Sequence, residues 1–337
     1  MTVAIQVLGV IILLLVIAGL LAPMESLGWW AREGREETRS LHARNLRAFR
    51  EEGEGPTTTP AREDSGHYLV FFSGIGISTP EQLPLKEAPL VERLQERIGG
   101  TTIISDVYPY SPRNRGLVAD RPFAWLWRQL TAFKQAKKHG KVAFLINIRN
   151  AFQCFVSIDR RYGPVYNLGV AEQIWEALLR NGYDPQDPKP VTILGWSGGA
   201  QIAVGSAWYL ASLGIPVHVI SMAGLFGSDP GLERVRHLWH LYGSLDKVHR
   251  WGVIASPGRW PVVTNSSWSR AKKEGRVSEI EIGPLAHSGD YNYFAPGPPM
   301  PDGREPRQHT VDAIMRLLVD QGFAYDRESP PKPATSS

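Results

Sequence analysis

Between residues 67 and 325, apolar positions follow two patterns that alternate along the chain. Short runs of apolar and β-branched residues predict buried strands, and longer segments with an apolar residue every three or four positions predict amphipathic helices. Strands are predicted at residues 67–72, 101–107, 191–194, 217–221, 237–242 and 276–282. Helices are predicted at residues 84–98, 122–138, 169–180, 201–213 and 310–321. Residues 142–158 open like a strand, but their apolar spacing also fits a helix.

This alternation predicts an α/β domain over residues 67–325. Strands that alternate with helices form a mostly parallel central sheet, with helices on both faces. A segment of about 260 residues is long enough to bury a sizeable core as one domain. Functional side chains are then expected where the strands end, at the carboxyl edge of the sheet.

A long apolar segment precedes this domain. Residues 3–22 contain one polar side chain, Gln6, and no charge, which is enough length for a helix to cross a bilayer. A cleaved signal peptide is the alternative, but residues 1–2 carry no basic side chain and residues 21–24 show no small-x-small cleavage pattern. We therefore expect a single transmembrane helix, with Trp29 and Trp30 at the membrane interface.

Six arginines follow the apolar segment between residues 32 and 50. The positive-inside rule places this side, and the domain with it, in the cytoplasm. Interleaved glutamates also fit a solvated stalk, and residues 53–66 form a linker rich in proline, glycine and threonine. The predicted division is an anchor with interfacial residues at 1–30, a stalk and linker at 31–66, the domain at 67–325 and a disordered tail at 326–337.

Composition narrows the classes of partner and ligand. Part of the net charge of +4 lies beside the predicted anchor, where residues 23–50 carry six arginines against four glutamates. Anionic lipid is therefore a better partner than nucleic acid, for which no basic stripe with aromatics is present. One cysteine, Cys154, excludes a disulfide framework within the chain, and its apolar neighbours predict a buried, inert thiol. The sequence has no pattern of metal ligands or of a dinucleotide site, so we expect neither a metal nor another cofactor.

The segment 191–200, VTILGWSGGA, carries the strongest chemical signal. It predicts a buried strand, a tight turn centred on Ser197 and the start of a helix, which is the context of a nucleophile elbow. Gly195, Gly198 and Gly199 supply the small neighbours that such a strained turn requires. The alternative is a glycine-rich turn in some other α/β protein.

A nucleophilic serine needs a base, and the base needs an orienting acid. Asp246 lies in the loop after the predicted strand 237–242, and His287 lies in the loop after strand 276–282. Asp246 has an alternative role as a helix N-cap, and His287 as a loop histidine bonded to the backbone. His309 is the second choice for the base.

In their order along the chain, these residues resemble the α/β-hydrolase family. The resemblance rests on Gly195-Trp196-Ser197-Gly198-Gly199, on Gly243-Ser244-Leu245-Asp246 and on His287. It implies Ser197 as the nucleophile, His287 as the general acid–base and Asp246 as the carboxylate that orients it.

The resemblance also implies an oxyanion hole. One amide is that of Gly198, and the second comes from Gly74 or Ile75 in the loop after the first strand. The family commonly opens this loop with His-Gly, whereas this chain has Ser73-Gly74, which leaves the second donor open by one residue.

The expected function is that of a membrane-anchored serine hydrolase that cleaves an ester, thioester or amide through an acyl-enzyme. The anchor and the aromatic, basic segment 121–138 favour a hydrophobic or lipid-like ester, although this segment fits a helix packed on the sheet better than a lid. The alternatives are a non-catalytic scaffold on the same fold, and a peptidase or acyltransferase with the same triad. Candidates for the pocket wall are Tyr108, Tyr110, Arg149, Arg160 and Arg161.

Overall fold

The computed structural model describes residues 65–79, 82–111 and 140–329, and, near the N-terminus, Gln6, Gly9, Val10 and Leu13. Within these residues, no helix has both the length and the apolar character needed to cross a bilayer. Apart from the four positions named, the predicted anchor at residues 3–22 lies outside the described residues. The stalk, the predicted helix 122–138 and residues 330–337 also lie outside them.

Six parallel strands form the central sheet, which confirms the predicted α/β class with a mostly parallel sheet. Their order is β3-β1-β4-β5-β6-β7. The strands are β1 (His67–Phe72), β3 (Thr101–Ile104), β4 (Val191–Trp196), β5 (Val217–Met222), β6 (His237–Tyr242) and β7 (Val277–Glu281). A separate antiparallel pair joins β2 (Ile98–Gly99) to β8 (Tyr325–Asp326) near the C-terminus.

Seven α-helices are present in the described part of the chain. They are α1 (Ala88–Arg97), α2 (Gly140–Ile158), α3 (Gly163–Arg180), α4 (Gly199–Ser212), α5 (Lys247–Ile254), α6 (Ser267–Lys273) and α7 (Pro306–Asp320). The ambiguous segment 142–158 is thus helical, because its apolar spacing outweighs its strand-like opening. The start of α3 lies six residues before the predicted one, since Gly163-Pro164 opens the helix with a proline in its first turn.

The sheet is buried on both faces, as a parallel sheet requires. On one face, Val70 and Phe72 of β1 join an apolar cluster with residues of α3 and α4. On the other face, Leu69 and Phe71 join a cluster with residues of α1 and α7. Full burial of such a side chain contributes about 1.5–3 kcal/mol, so the two clusters hold the strands in one register. The loops that follow the strands therefore all meet at the carboxyl edge.

A buried arginine ties the two terminal parts of the domain together. Arg97, at the end of α1, pairs with Asp312 of α7 and with Asp326 of β8, each at 2.5 Å. The hydrogen bond from Arg97 lowers the pKa of Asp326, and for Asp312 the bonds from Arg97 and Arg304 outweigh the opposing effect of burial. The pairing continues beyond Tyr325, because the amide of Arg327 donates to the carbonyl of Arg97 at 2.9 Å.

Replacing Arg97 with methionine is expected to lower the free energy of unfolding. In Arg97→Met, the partly buried carboxylates of Asp326 and Asp312 lose the arginine that they share, although Asp312 keeps its pair with Arg304. The expected cost is about 2 kcal/mol once screening by water is allowed for. Urea denaturation at pH 7 measures the difference. The control is Arg180→Met, which breaks an exposed pair with Asp106 and should cost less than about 1 kcal/mol. Equal losses in the two variants would contradict this role for Arg97.

Candidate active site

Ser197 occupies a strained turn between β4 and α4. Its φ of 51° is in the left-handed region, which few non-glycine residues adopt. A Cβ atom on Gly195 would lie 2.6 Å from the Cα of Ala200, so the turn accepts only glycine there. The Ser197 amide donates to the Met222 carbonyl at 3.0 Å, and the Leu225 amide donates to the Ser197 carbonyl at 3.1 Å. These bonds hold the turn from both sides.

The structure brings the three predicted triad residues together. Ser197 Oγ lies 3.0 Å from His287 Nε2, and His287 Nδ1 lies 2.9 Å from Asp246 Oδ2. With Asp246 ionised, Nδ1 donates to the carboxylate, which leaves Nε2 of the neutral ring to accept the Ser197 proton. The geometry is therefore that of a nucleophile, a base and an orienting acid.

Four hydrogen bonds converge on the buried carboxylate of Asp246. Oδ1 accepts from the amides of Val248 and His249, at 2.8 and 3.3 Å, which makes Asp246 the N-cap of α5. Oδ2 accepts from His287 and from the Tyr293 hydroxyl, the latter at 3.0 Å. Burial raises the pKa of Asp246, but the bonds from His287, Tyr293 and the backbone outweigh it, and the net pKa is lowered. Asp246 thus caps α5, and its contact with His287 also fits the role of an orienting acid.

Tyr293 is a member of this network that the sequence did not indicate. Its hydroxyl accepts from the amide of Gly243 at 2.7 Å, so its own proton is directed to Asp246. Burial, and then the charge of Asp246, raise the pKa of Tyr293 and keep the hydroxyl protonated. The tyrosine therefore fixes the carboxylate against the loop that carries it.

Trp196 forms a wall behind the imidazole of His287. The two rings stack with centroids 4.6 Å apart and planes at 22°, and Trp196 also packs against Tyr293 and Phe294. The indole is almost completely buried. A Cβ atom on Gly74 would lie 2.5 Å from Cδ1 of this indole, so glycine is needed there for the indole to fit. Trp196 therefore restricts the ring of His287 to one orientation.

The predicted oxyanion donors lie on two segments that touch. A Cβ atom on Gly198 would be 2.8 Å from Cγ2 of Ile75, which places the β1 loop against the start of α4. Gly74 shapes this loop, since its carbonyl accepts from the amide of Ile77 at 3.2 Å. In the residues described, no backbone acceptor takes the amide hydrogen of Gly198 or of Ile75. Neither amide is thus engaged by the backbone, which an oxyanion donor requires.

The five candidates for the pocket wall lie in different environments. Tyr108, Tyr110 and Arg149 are buried, whereas Arg160 is exposed and Arg161 pairs with Asp159. Tyr110 alone reaches the nucleophile turn: its hydroxyl donates to the Ser73 carbonyl at 3.0 Å and would lie 3.5 Å from a Cβ on Gly198.

Cys154 lies beside the same turn, a position that its sequence neighbourhood did not indicate. Its Sγ is 3.4 Å from the carbonyl oxygen of Gly198. Burial raises the pKa of the thiol to about 12, so it stays protonated at neutral pH. The residue as a whole is only partly buried. The predicted inert thiol thus forms part of the wall of the site.

His309, the second choice for the base, and the buried His240 are both engaged away from Ser197. His309 bonds to Asp302 at 3.1 Å and packs behind Gly283, in the loop that leads to His287. A second serine–histidine pair joins Ser221 Oγ to His240 Nδ1 at 3.0 Å, and both residues are buried. In the part of the chain that the structure describes, Nε2 of His240 has no hydrogen-bond partner, so this pair lacks an orienting carboxylate.

Comparison with family models and with curated proteins identifies no relative of this chain. No protein-family model matches the chain, and no curated protein is significantly similar to it. The parallel sheet flanked by helices is compatible with the α/β-hydrolase fold. Among the described residues, no group of three or more His, Cys, Asp or Glu side chains is placed to hold a metal ion.

Removing the Tyr293 hydroxyl is expected to destabilise the ionised form of Asp246. In Tyr293→Phe, the buried amide of Gly243 loses its acceptor and the carboxylate loses a donor, which costs about 1–3 kcal/mol at pH 7. A lowered folded pKa contributes stability above the unfolded pKa, and this is lost as the pH falls through the folded value. The pKa of Asp246 should rise in the variant, so the loss should shrink towards low pH.

Urea unfolding between pH 7 and pH 3 measures this loss. The control is Tyr242→Phe, because the Tyr242 ring stacks on His249 without a hydrogen bond from its hydroxyl in the described structure. A change within about 0.5 kcal/mol is expected for the control. A loss for Tyr293→Phe that is the same at every pH would show that the hydroxyl does not act on the carboxylate.

Proposed function

We propose that this chain is a membrane-anchored serine hydrolase that cleaves an ester, thioester or amide through an acyl-enzyme. The observation that carries the proposal is a pair of consecutive hydrogen-bond contacts. Ser197 Oγ lies 3.0 Å from Nε2 of His287, and Nδ1 of the same ring lies 2.9 Å from Oδ2 of the buried Asp246. A gap well beyond about 4 Å between Ser197 and His287 would have favoured a scaffold, since proton transfer needs hydrogen-bond contact. The arginine-rich segment after the anchor supports a cytoplasmic domain.

The proposed reaction has two steps with a common base. Ser197 Oγ attacks the acyl carbon while its proton passes to Nε2 of His287, and Asp246 stabilises the imidazolium. The tetrahedral oxyanion is held by the amides of Gly198 and of Ile75 or Gly74, each worth about 3 kcal/mol. The bond to the leaving group breaks, and His287 returns the proton to that group. Water, deprotonated by His287, then attacks the acyl-serine, the bond between the acyl carbon and Ser197 Oγ breaks, and the acid leaves while His287 returns the proton to Ser197 Oγ.

Apolar surroundings of the turn support a hydrophobic ester as the substrate. The side chain of Ile75 packs at Gly198. The amide of Leu225 donates to the carbonyl of Ser197, so this second apolar residue also lies beside the turn. A peptidase would use the same residues but expel an amine as the leaving group. An acyltransferase would also use them, but an acceptor other than water would attack the acyl-enzyme. The residues described favour no second function over the hydrolase.

Labelling with a fluorophosphonate probe tests the nucleophile. The folded full-length chain should react at Ser197, and Ser197→Ala should abolish the adduct, because only a serine with an oriented base attacks the probe rapidly. Ser221→Ala is the matched control, since it removes a buried serine that also contacts a histidine, and should leave labelling intact. Intact-mass and peptide mass spectrometry locate the adduct. An adduct that persists in Ser197→Ala would refute the assignment.

Removing the charge of Asp246 tests the relay. Asp246→Asn should lower kcat by about 10³–10⁴-fold, because the amide cannot stabilise the imidazolium or select the correct tautomer. Hydrolysis of p-nitrophenyl esters of graded chain length measures the effect. The fold-loss should be the same for every ester, since Asp246 contacts His287 and not the acyl group. In the unsubstituted chain, a preference for acetate over the longer esters would contradict a hydrophobic substrate.

A further inference from the structure

Large apolar side chains are exposed mainly at one edge of the domain. Eleven such side chains are exposed within residues 65–329, and nine of them lie in segments at the carboxyl edge, where Ser197 also lies. The other two, Val319 and Tyr325, lie elsewhere. Six members of the set, on α2 and on the segment through α5, are called here the apolar rim: Phe155, Ile158, Leu245, Trp251, Ile254 and Trp260.

The rim is built from ordered residues. Gly252 faces inwards on α5, since a Cβ there would lie 2.5 Å from Leu225 Cδ2, and its neighbour Trp251 is left 67% exposed. The indole N–H of Trp260 donates to the carbonyls of Val253 and Ile254, each at 3.1 Å, while the residue stays 42% exposed. The direction of these side chains therefore follows from the packing of Gly252 and the hydrogen bonds of Trp260.

The two halves of the rim lie on either side of the segment that follows the β5 strand. Leu225 contacts α5, and Ile158 of α2 would lie 3.9 Å from a Cβ on Gly227. The amide of Leu225 donates to the carbonyl of Ser197. The rim thus adjoins the turn that carries Ser197.

Such a surface indicates an interface. Each large apolar side chain left in water forgoes about 1.5–3 kcal/mol of burial, and clusters of them mark contact sites. Tryptophan with its N–H satisfied or directed outwards is typical of the boundary between a bilayer and water.

Unpaired cations accompany the rim. Lys247 and Arg250 on α5, and Arg160 after α2, are exposed and form no ion pair with another described residue. The exposed acids Glu281 and Asp290 belong to β7 and the loop after it, not to α5 or α2. A positive fringe around an apolar centre complements anionic lipid headgroups.

The sequence contains a candidate membrane anchor and a connecting segment long enough to let the rim reach the bilayer. Residues 3–22 are uncharged and long enough to span a membrane, and residues 23–64 connect them to the domain. Even at the 1.5 Å rise of an α-helix, this connection reaches about 60 Å. A domain of this size has a diameter of about 45 Å, so the carboxyl edge can face the membrane although β1 starts at the opposite edge.

We propose that the apolar rim docks on the anionic surface of the bilayer that holds the anchor. Trp251, Ile254 and Trp260 lie at headgroup depth, and Lys247 and Arg250 contact lipid phosphates or carboxylates. In the docked domain, the turn that carries Ser197 faces the membrane. Docking rests on the proposed anchor but not on the proposed hydrolase chemistry, because it uses no chemistry of Ser197.

Spin-label accessibility tests the docking in the full-length chain. A nitroxide is attached to Trp251→Cys in a Cys154→Ser background, and the chain is placed in phosphatidylcholine vesicles with or without phosphatidylserine. The label should become several-fold more accessible to oxygen, relative to a water-soluble nickel chelate, than a label at Tyr325→Cys. Residue 325 is the matched control because it is also exposed, at 57%, but lies outside the rim.

Three outcomes would overturn the proposal. Labels at 251 and 325 that are equally accessible to the nickel chelate would show that the rim stays in water. A label at 251 that is shielded from both reagents would indicate a second copy or another protein instead of lipid. Immersion that is the same without phosphatidylserine, or unchanged in Lys247→Glu/Arg250→Glu, would exclude an anionic surface. The same measurement in Ser197→Ala should give full immersion, so a failure of the hydrolase proposal is seen separately.

Discussion

The arrangement at the carboxyl edge depends on how one buried carboxylate is held. Asp246 begins α5 through its Oδ1 and orients His287 through its Oδ2, so the start of a helix and the direction of an imidazole are set by the same side chain. A buried ionised group is tolerated only when its hydrogen bonds replace its hydration, and four bonds do so here. The hydroxyl of Tyr293 closes the network by linking Asp246 to the backbone of its own loop.

The parallel sheet explains how residues so distant in sequence converge. β4, β6 and β7 end at the same edge, and each is followed by one of Ser197, Asp246 and His287. The two apolar clusters fix the strands, and the loops need only a few backbone hydrogen bonds to place their side chains. The strain at Ser197 is borne by this framework, in which Met222 and Leu225 clamp the turn.

Features with a local signal could be predicted from the sequence. The bounds of β1 and β6 agree with the prediction, because their buried runs end at turn residues, and Ser197 was found from the glycines that flank it. Tyr293 could not be found in this way, since its role depends on a contact with Asp246, 47 residues away. The position of Cys154 was missed for the same reason. The first strand-like residues of α2 were ambiguous because periodicity alone does not separate a buried strand from a buried helix.

The indole of Trp196 lies between two parts of the site that the chain keeps far apart. It leaves no room for a side chain at Gly74 and supports the ring of His287 on stacked planes. Any residue larger than glycine at position 74 would push on the indole, and the displacement would pass to the imidazole through a single layer of atoms. The loop that carries the candidate oxyanion donors and the imidazole of the candidate base are therefore mechanically coupled, and neither can be remodelled in isolation.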